Sequence, residues 1–542
     1  MVNKKEWSSK RVSVLLTIIA LTLWAYSITQ AKLNIGFFGL IHSFPVTFFI
    51  ALGILTIASA ILWSSKESHQ KLLAFQILFF ITALWLAPAL IGSHPGLGCA
   101  YRNLGLINSI TEQGHLIDNW YLAWPGAHIL FATISELYAV NLEPAIYIFP
   151  FLMQLFWLLP LYLFLRNVLG ETRLNYCWAG LWLFSLANWI GQEYFSPQAI
   201  AFFLLLLLVA LITSPSLLEE GSRSRSFLLT GSFLIAGLVI SHLLTALAAV
   251  CMLAAFFLAK RAKKLVPLIG LCLVLIACWD ISGGAHYFTS RVLSEPFVAE
   301  TPDVAEPRGI LVFDPEYILE TNITKSLAGS QSHIAVVQIR IVLSSIFAVL
   351  GLVGAILTFL FRRTRTFVSI LAIEIALLLL LSLAKQFGWE LIHRLYLYGL
   401  PFMAYFGVMI LDMGRKLPAF IICLLLITSC PLLFIGHYGN QAFDYWSPSY
   451  LAGFHYVDGV KTNSDYRFAD LKDLSWKDDQ LVFDEDFPQE KHYFAISEHD
   501  GAKYDFLNNQ PNFVDEVREW LQTFKGYVHI YANPEFGLYL DE

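Results

Sequence analysis

Thirteen apolar runs dominate this chain, and the Lys and Arg residues between them collect in alternate connections. The runs cover residues 11–31, 43–64, 71–92, 142–166, 174–190, 196–214, 226–241, 243–260, 264–280, 337–361, 366–384, 391–411 and 417–437. A helix needs about 20 apolar residues to cross the hydrocarbon core of a bilayer. Charged residues make up only 14% of the chain, whereas a soluble domain carries roughly 25%. The fold class predicted is therefore an α-helical polytopic membrane protein with about 13 transmembrane helices.

The charge pattern predicts the orientation. Lys4, Lys5, Lys10 and Arg11 precede the first run, and Lys66 and Lys71 follow the second. Arg166 and Arg173, Arg223 and Arg225, then Lys260, Arg261, Lys263 and Lys264 continue the series. Arg362, Arg363, Arg365, Arg415 and Lys416 complete it, while the short opposite connections hold few: Lys32, Arg102 and Lys385. By the positive-inside rule the N-terminus is cytoplasmic, and an odd number of crossings puts the C-terminus outside. The first run is read as a retained span rather than a cleaved signal. Such a chain belongs in the plasma membrane.

Three stretches interrupt the runs: outer loops at 93–141 and 281–336, and the tail 438–542. Residues 125–139 suit a short helix lying in the interface. In the tail, an amphipathic helix at Phe513–Phe524 places Val514, Val517, Trp520 and Leu521 on one face. Strand-like runs follow at Tyr527–Tyr531 and Phe536–Leu540. The expectation is a small α+β extracytoplasmic C-terminal domain of normal domain size. Its acidity belongs to a solvated outer face, and no nucleic acid is implied as a partner. Six of the seven cysteines fall within apolar runs and Cys99 stands alone in an outer loop, so no structural disulfide is expected. No zinc-like spacing of Cys and His occurs.

Four outer segments carry polar residues suited to chemistry. Asn188 to Gln198 forms a turn between two runs, with Glu193 between Trp189 and Tyr194 and with Pro197 able to open a helix. A partly dry carboxylate there has a raised pKa and can move protons; the simpler reading is an interfacial turn with an aromatic belt. Ser241 to Thr245 is a tight turn in which His242 either meets a phosphate or sugar oxygen or caps a helix. Glu390 and Arg394 are four apart at the entry to a span and share a helix face. Arg394 there either pairs with Glu390 or meets a lipid-linked phosphate. The first outer loop contributes Arg102, Glu112, His115, Asp118 and the Trp124-Pro125-Gly126 turn, where a saccharide can stack.

These motifs, with Gly114-His115-Leu116 and Pro401-Phe402, resemble the prokaryotic polysaccharide and lipid-sugar branch of the GT-C superfamily of membrane glycosyltransferases. The resemblance runs from about residue 70 to 410. It implies a GT-C-like transmembrane core at 71–437, with 1–70 as additional N-terminal helices and 438–542 as an appended soluble domain. It also implies a polyprenyl-phosphate sugar donor and a glycan, lipid or protein acceptor on the outer face, among membrane lipids. By position Glu193 matches the family's second acid. Leu97, Gly98 and Cys99 stand where the family places its first, so the later Glu112 or Asp118 would substitute.

The resulting assignment gives catalysis to Asp118 and Glu193, and the donor phosphate to Arg394, His242 and Arg102. The saccharide or acceptor falls to Trp124, Tyr194 and Gln198. No cofactor is required, although two outer acids could hold Mg²⁺ or Mn²⁺ through waters. Two rival readings are a lipid-linked saccharide flippase or transporter and an inactive GT-C scaffold that binds glycan. A transporter places ionisable residues near the bilayer midplane, and Glu374 is the main charge expected there.

Overall fold

A computed structural model describes residues 4–282, 329–360, 370, 390–411, 416–461 and 467–541, apart from 64, 66, 93–96, 117–118, 218–221, 470–473, 478–479, 484–491, 500, 503–511, 524–526 and 534. The described chain is mostly helical. Its first helices are α1 (Lys4–Gln30), α2 (Val46–Trp63), α3 (Gln70–Ile81), α4 (Ala87–Ile91), α5 (Cys99–Gln113), α6 (Gly126–Tyr138) and α7 (Glu143–Leu169). Then come α8 (Leu174–Ala187), α9 (Pro197–Thr213), α10 (Ser222–Ser241), α11 (Leu243–Lys260) and α12 (Leu265–Ser282). Helices α13 (Gln331–Leu360), α14 (Glu390–Leu411) and α15 (Lys416–Tyr438) complete the long apolar set.

Among the described residues, 9 helical segments are long and apolar enough to cross a membrane. Helices α9 and α12 are shorter apolar helices, and α8 is 14 residues long. Every predicted run thus falls on a helix except 366–384, of which only Ile370 is among the described residues. The interfacial segment expected at 125–139 is helix α6.

The chain divides into two compact units. The first comprises Met1–Leu33, Ser43–Ile323 and Ile339–His437; the second comprises Asn34–His42, Thr324–Gln338 and Tyr438–Glu542. In the first unit many large apolar side chains stay exposed, and some of the buried polar side chains pair with one another. Gln76 of α3 donates to Ser13 and Thr17 of α1 and accepts from Ser59 of α2. Pairing of this kind is what a buried amide requires where no water competes.

A π-helical segment, Thr82–Leu86, joins α3 to α4. Pro88 explains it: proline has no N–H for the Leu84 carbonyl, and its ring would clash with that carbonyl in a regular α-helix. The widened turn carries Trp85, which is buried, and such bulges recur at functional positions.

In the second unit, helices α16 (Gln441–Asp444) and α17 (Pro448–Lys461) precede strands β1 (Arg467–Ala469), β2 (Leu474–Lys477), β3 (Gln480–Phe483) and β4 (His492–Ser497). Helix α18 (Phe513–Thr523) and strands β5 (Tyr527–Asn533) and β6 (Phe536–Asp541) close the chain. The main sheet has order β1-β4-β6-β5, with only β1 and β4 parallel. Alternation along β4 sends Phe494 and Ile496 to one face, where they meet Phe513, Val514, Val517 and Leu521 of α18. Tyr493 points to the other, against Tyr450 and Val457 of α17. The sheet is therefore sandwiched between two helices.

Candidate active site

Among the described residues of the first unit, Glu193 is the buried acid. Helix α8 ends at Ala187 and α9 begins at Pro197, so Glu193 belongs to the connecting turn and not to a spanning helix. Proline is favoured at a first helical position because its missing N–H is not needed there. Ser196 caps α9 by accepting from the Ala199 amide at 3.3 Å. Gly191 turns the chain with φ of 72°, a conformation that favours glycine. These local choices drive the turn inward.

The Glu193 carboxyl is 1% exposed. Its Oε1 accepts from Trp85 Nε1 at 3.1 Å and lies 3.0 Å from His437 Nε2, at the end of α15. Oε2 has no hydrogen-bond partner among the described residues. Burial pushes the carboxyl from 4.5 up to about 7; the backbone, Trp85 and nearby Gln154 pull it down less strongly. Glu193, Tyr194, Leu97, Trp189, Arg340 and His437 line a small cavity of about 30 Å³, enough for a water-sized group.

Trp189 links this acid to the helix bearing Arg394. Its indole N–H donates to Ser344 Oγ at 2.8 Å, and its ring meets His393 edge-on with centroids 5.2 Å apart. Tyr396 of α14 donates to the Ala187 carbonyl at 3.1 Å. The Arg340 guanidinium lies over the Trp189 ring at 5.2 Å, while its Nε donates to the Gly436 carbonyl at 2.7 Å.

Further along α14, the Tyr398 hydroxyl is 2.9 Å from Thr245 Oγ1, which in turn is 2.9 Å from His242 Nδ1. The Thr245 amide also donates to His242 Nδ1 at 3.3 Å, so His242 caps α11. That bond needs a bare Nδ1 and leaves the proton on Nε2. Burial holds His242 well below the usual histidine range, and the Arg394 charge lowers it further.

A third junction joins the first loop to the Glu193 turn. Asn103 of α5 donates to the Phe195 carbonyl at 2.8 Å, and its Oδ1 is 3.2 Å from His128 Nε2. Burial, then the Arg102 charge, pushes His128 down to about 4. Arg102 itself is exposed and stacks 3.8 Å over Tyr121. Gly126, in the Trp124-Pro125-Gly126 turn, packs so closely on Ile240 and Ser241 that a Cβ would lie 2.8–2.9 Å from their atoms.

Tyr194 and Trp124 are half-buried, and Gln198 is buried with no partner for its Nε2 among the described residues. Glu112 is exposed near the end of α5. Asp118 and the Glu390 side chain lie outside the described residues, as does Glu374. Trp85, Gln154, Arg340 and His437 were missed by the sequence reading. Arg340 and Gln154 stand inside apolar runs, a signal that marks function or pairing in a membrane helix.

Among the described residues, no three His, Cys, Asp or Glu side chains gather as metal ligands. Mg²⁺ and Mn²⁺ take oxygen ligands, whereas Glu193 is met by the nitrogens of Trp85 and His437. The described surroundings of Glu193 do not fit such an ion.

No known family model matches this chain, and no curated protein matches it in sequence. Among solved structures, it is similar to the crystal structure of the Archaeoglobus fulgidus oligosaccharyltransferase, at 12% identity and a TM-score of 0.40. That match covers 77% of this chain and 55% of the archaeal one, so this chain spans about half the length of the protein it matches. A match of this extent leaves function to be argued from the site.

Proposed function

We propose that this chain is a membrane glycosyltransferase. It moves a sugar from a polyprenyl-phosphate-linked donor to a hydroxyl of an envelope glycan, lipid or protein acceptor at the outer face of the plasma membrane. The reading is supported chiefly by the Trp189 junction, which joins a buried carboxylate to the helix bearing Arg394 where several apolar helices end. A membrane-dissolved substrate would meet the protein at such helix ends.

Arg394 offers a planar guanidinium to the donor phosphate, and His242 presents a neutral Nε2–H nearby. Both favour charge developing on the departing phosphate. Glu193 takes the proton of the acceptor hydroxyl; a carboxyl titrating near neutral pH is suited to that role. Tyr194 beside Glu193 and Trp124, in the turn whose Gly126 packs on Ser241, offer aromatic surface to the saccharide, with Gln198 as a polar contact. Arg102 supplies positive charge at the rim, and Asp118 remains a second candidate acid of the same loop.

Arg340, an ionisable residue within the α13 span, favours the rival reading of a lipid-linked saccharide transporter. One experiment separates the two. The purified protein in lipid nanodiscs is given labelled polyprenyl-phosphate sugars and a panel of hydroxyl acceptors, and in liposomes it is tested for movement of the same lipids across the bilayer. Release of polyprenyl phosphate with a glycosylated product, lost in Glu193→Gln, supports transfer. Lipid translocation without product overturns it.

A further inference from the structure

We infer that His437 and Trp85 are positioning residues that hold Oε1 of Glu193, so that Oε2 is the atom that receives the acceptor proton in the cavity beside it. This assignment rests on the glycosyl-transfer reading for the reaction, but the clamp itself is a matter of geometry.

The two oxygens of the carboxylate are not equivalent. Trp85 Nε1 donates to Oε1 from the π-helical turn at 3.1 Å, and His437 Nε2 approaches the same oxygen from α15 at 3.0 Å. Oε2 is buried and has no hydrogen-bond partner among the described residues. Gln154 of α7 lies beside the carboxyl and lowers its pKa, although its amide is outside hydrogen-bond geometry. Leaving a buried carboxylate oxygen without a partner costs free energy, and an incoming hydroxyl recovers it. The cavity has room for such a small group and is lined by Glu193, Tyr194, Arg340 and Trp189.

The step balances as follows. The acceptor O–H bond breaks and its proton goes to Oε2. The acceptor oxygen forms a bond to the sugar anomeric carbon. The bond from that carbon to the phosphate oxygen breaks, and polyprenyl phosphate leaves with the electron pair. Of the two carboxylate oxygens, His437 and Trp85 meet Oε1, so they direct the lone pair of Oε2; His437 also lines the cavity.

Among the described residues, the charged and titratable groups facing this carboxyl are His437 from α15, Arg340 from α13 and Tyr194 from the turn, with His393 of α14 across the Trp189 ring. Any pH effect must be read against all of them. The test uses the full-length protein in nanodiscs and two readouts. The first is the titration midpoint of the Glu193 carboxyl, taken by infrared difference against Glu193→Gln. The second is turnover.

His437→Ala removes a donor to the ionised form. It should raise the midpoint by about one pH unit or more and lower kcat about 10- to 100-fold with donor affinity unchanged. His437→Gln, whose amide can donate to Oε1, should recover most of both, and Trp85→Phe should act like His437→Ala. An unmoved midpoint in His437→Ala overturns the clamp whether or not sugar is transferred. Failure of His437→Gln to recover anything in folded protein also overturns it. A moved midpoint in protein that transfers no sugar from any donor supports the clamp and overturns the glycosyl-transfer reading alone.

Discussion

Asn103 donates a 2.8 Å hydrogen bond to the Phe195 carbonyl, and so fastens the first-loop helix α5 to the turn that carries Glu193. Its other amide atom meets His128. Because His128 is held near its neutral form, its Nε2–H can donate to Asn103 Oδ1 while the Asn103 amide donates to Phe195. Both ends of the side chain are thereby used, as a buried amide demands.

Asn103→Leu should therefore cost more than its small change in shape suggests. It strands the Phe195 carbonyl and the His128 N–H together, and each buried unpaired group costs about 1–3 kcal/mol. Thermal unfolding in detergent should show a marked loss. Asn103→Asp, which keeps the acceptor but not the donor, should fall between Leu and the parent. A melting temperature unchanged in both variants would remove Asn103 from the architecture of the site.

The span helices were legible in the sequence because lipid imposes their length and apolarity directly. The amphipathic helix and terminal strands of the second unit were legible too, since Val514, Val517 and Leu521 recur at helical spacing. The turn bearing Glu193 was visible from Pro197 and its aromatic neighbours. The partners of Glu193 were not. Trp85 is 108 residues away and His437 lies near the end of a later span, so only packing of distant helices brings them in. The cause of the π-helical turn, Pro88, stood in the sequence, but its consequence for Trp85 depended on which helix lay opposite.

The pH dependence has a definite sign. The Glu193 carboxyl is raised from 4.5 to about 7 by burial, so at intermediate pH the folded chain keeps a proton that the unfolded chain has lost. The linked stability is complete below about 4.5 and is lost as pH rises through about 7. The difference is on the order of 3 kcal/mol. Between pH 5 and pH 8 the parent should lose more thermal stability than Glu193→Gln, which has no proton to lose. Turnover should move the opposite way, rising through about pH 7 as the base ionises. Parallel melting curves for the two proteins would contradict the burial argument.

Gly126→Ala probes a different contact. The added Cβ would lie 2.8 Å from Ile240 Cγ1 and 2.9 Å from the Ile240 carbonyl and Ser241 Oγ. A methyl forced against backbone costs typically about 1–3 kcal/mol and pushes the Trp124 turn off the turn bearing His242. Weaker saccharide acceptor binding, with lower stability, is the expected result. Gly105→Ala is the control on α5, where nothing lies within 4 Å of the added atom; it should leave acceptor binding unchanged and raise stability slightly through helix propensity.

Arg394 tests the donor end of the proposal. It enters α14 beside the His242–Thr245–Tyr398 chain, and its charge is felt at His242. Arg394→Ala should weaken binding of a polyprenyl-phosphate sugar by roughly 1.5–3 kcal/mol, the contribution of a charge-assisted hydrogen bond. Arg394→Lys should restore charge without the planar fork and recover binding only in part. Thr245→Val separates positioning from charge: it breaks the link between Tyr398 and His242 while leaving the guanidinium in place, so it should reduce donor affinity less than Arg394→Ala does. Donor titration in nanodiscs, with folding checked by thermal unfolding, gives the order directly. Equal binding by all three variants and the parent would make Arg394 a structural residue and move the phosphate site elsewhere.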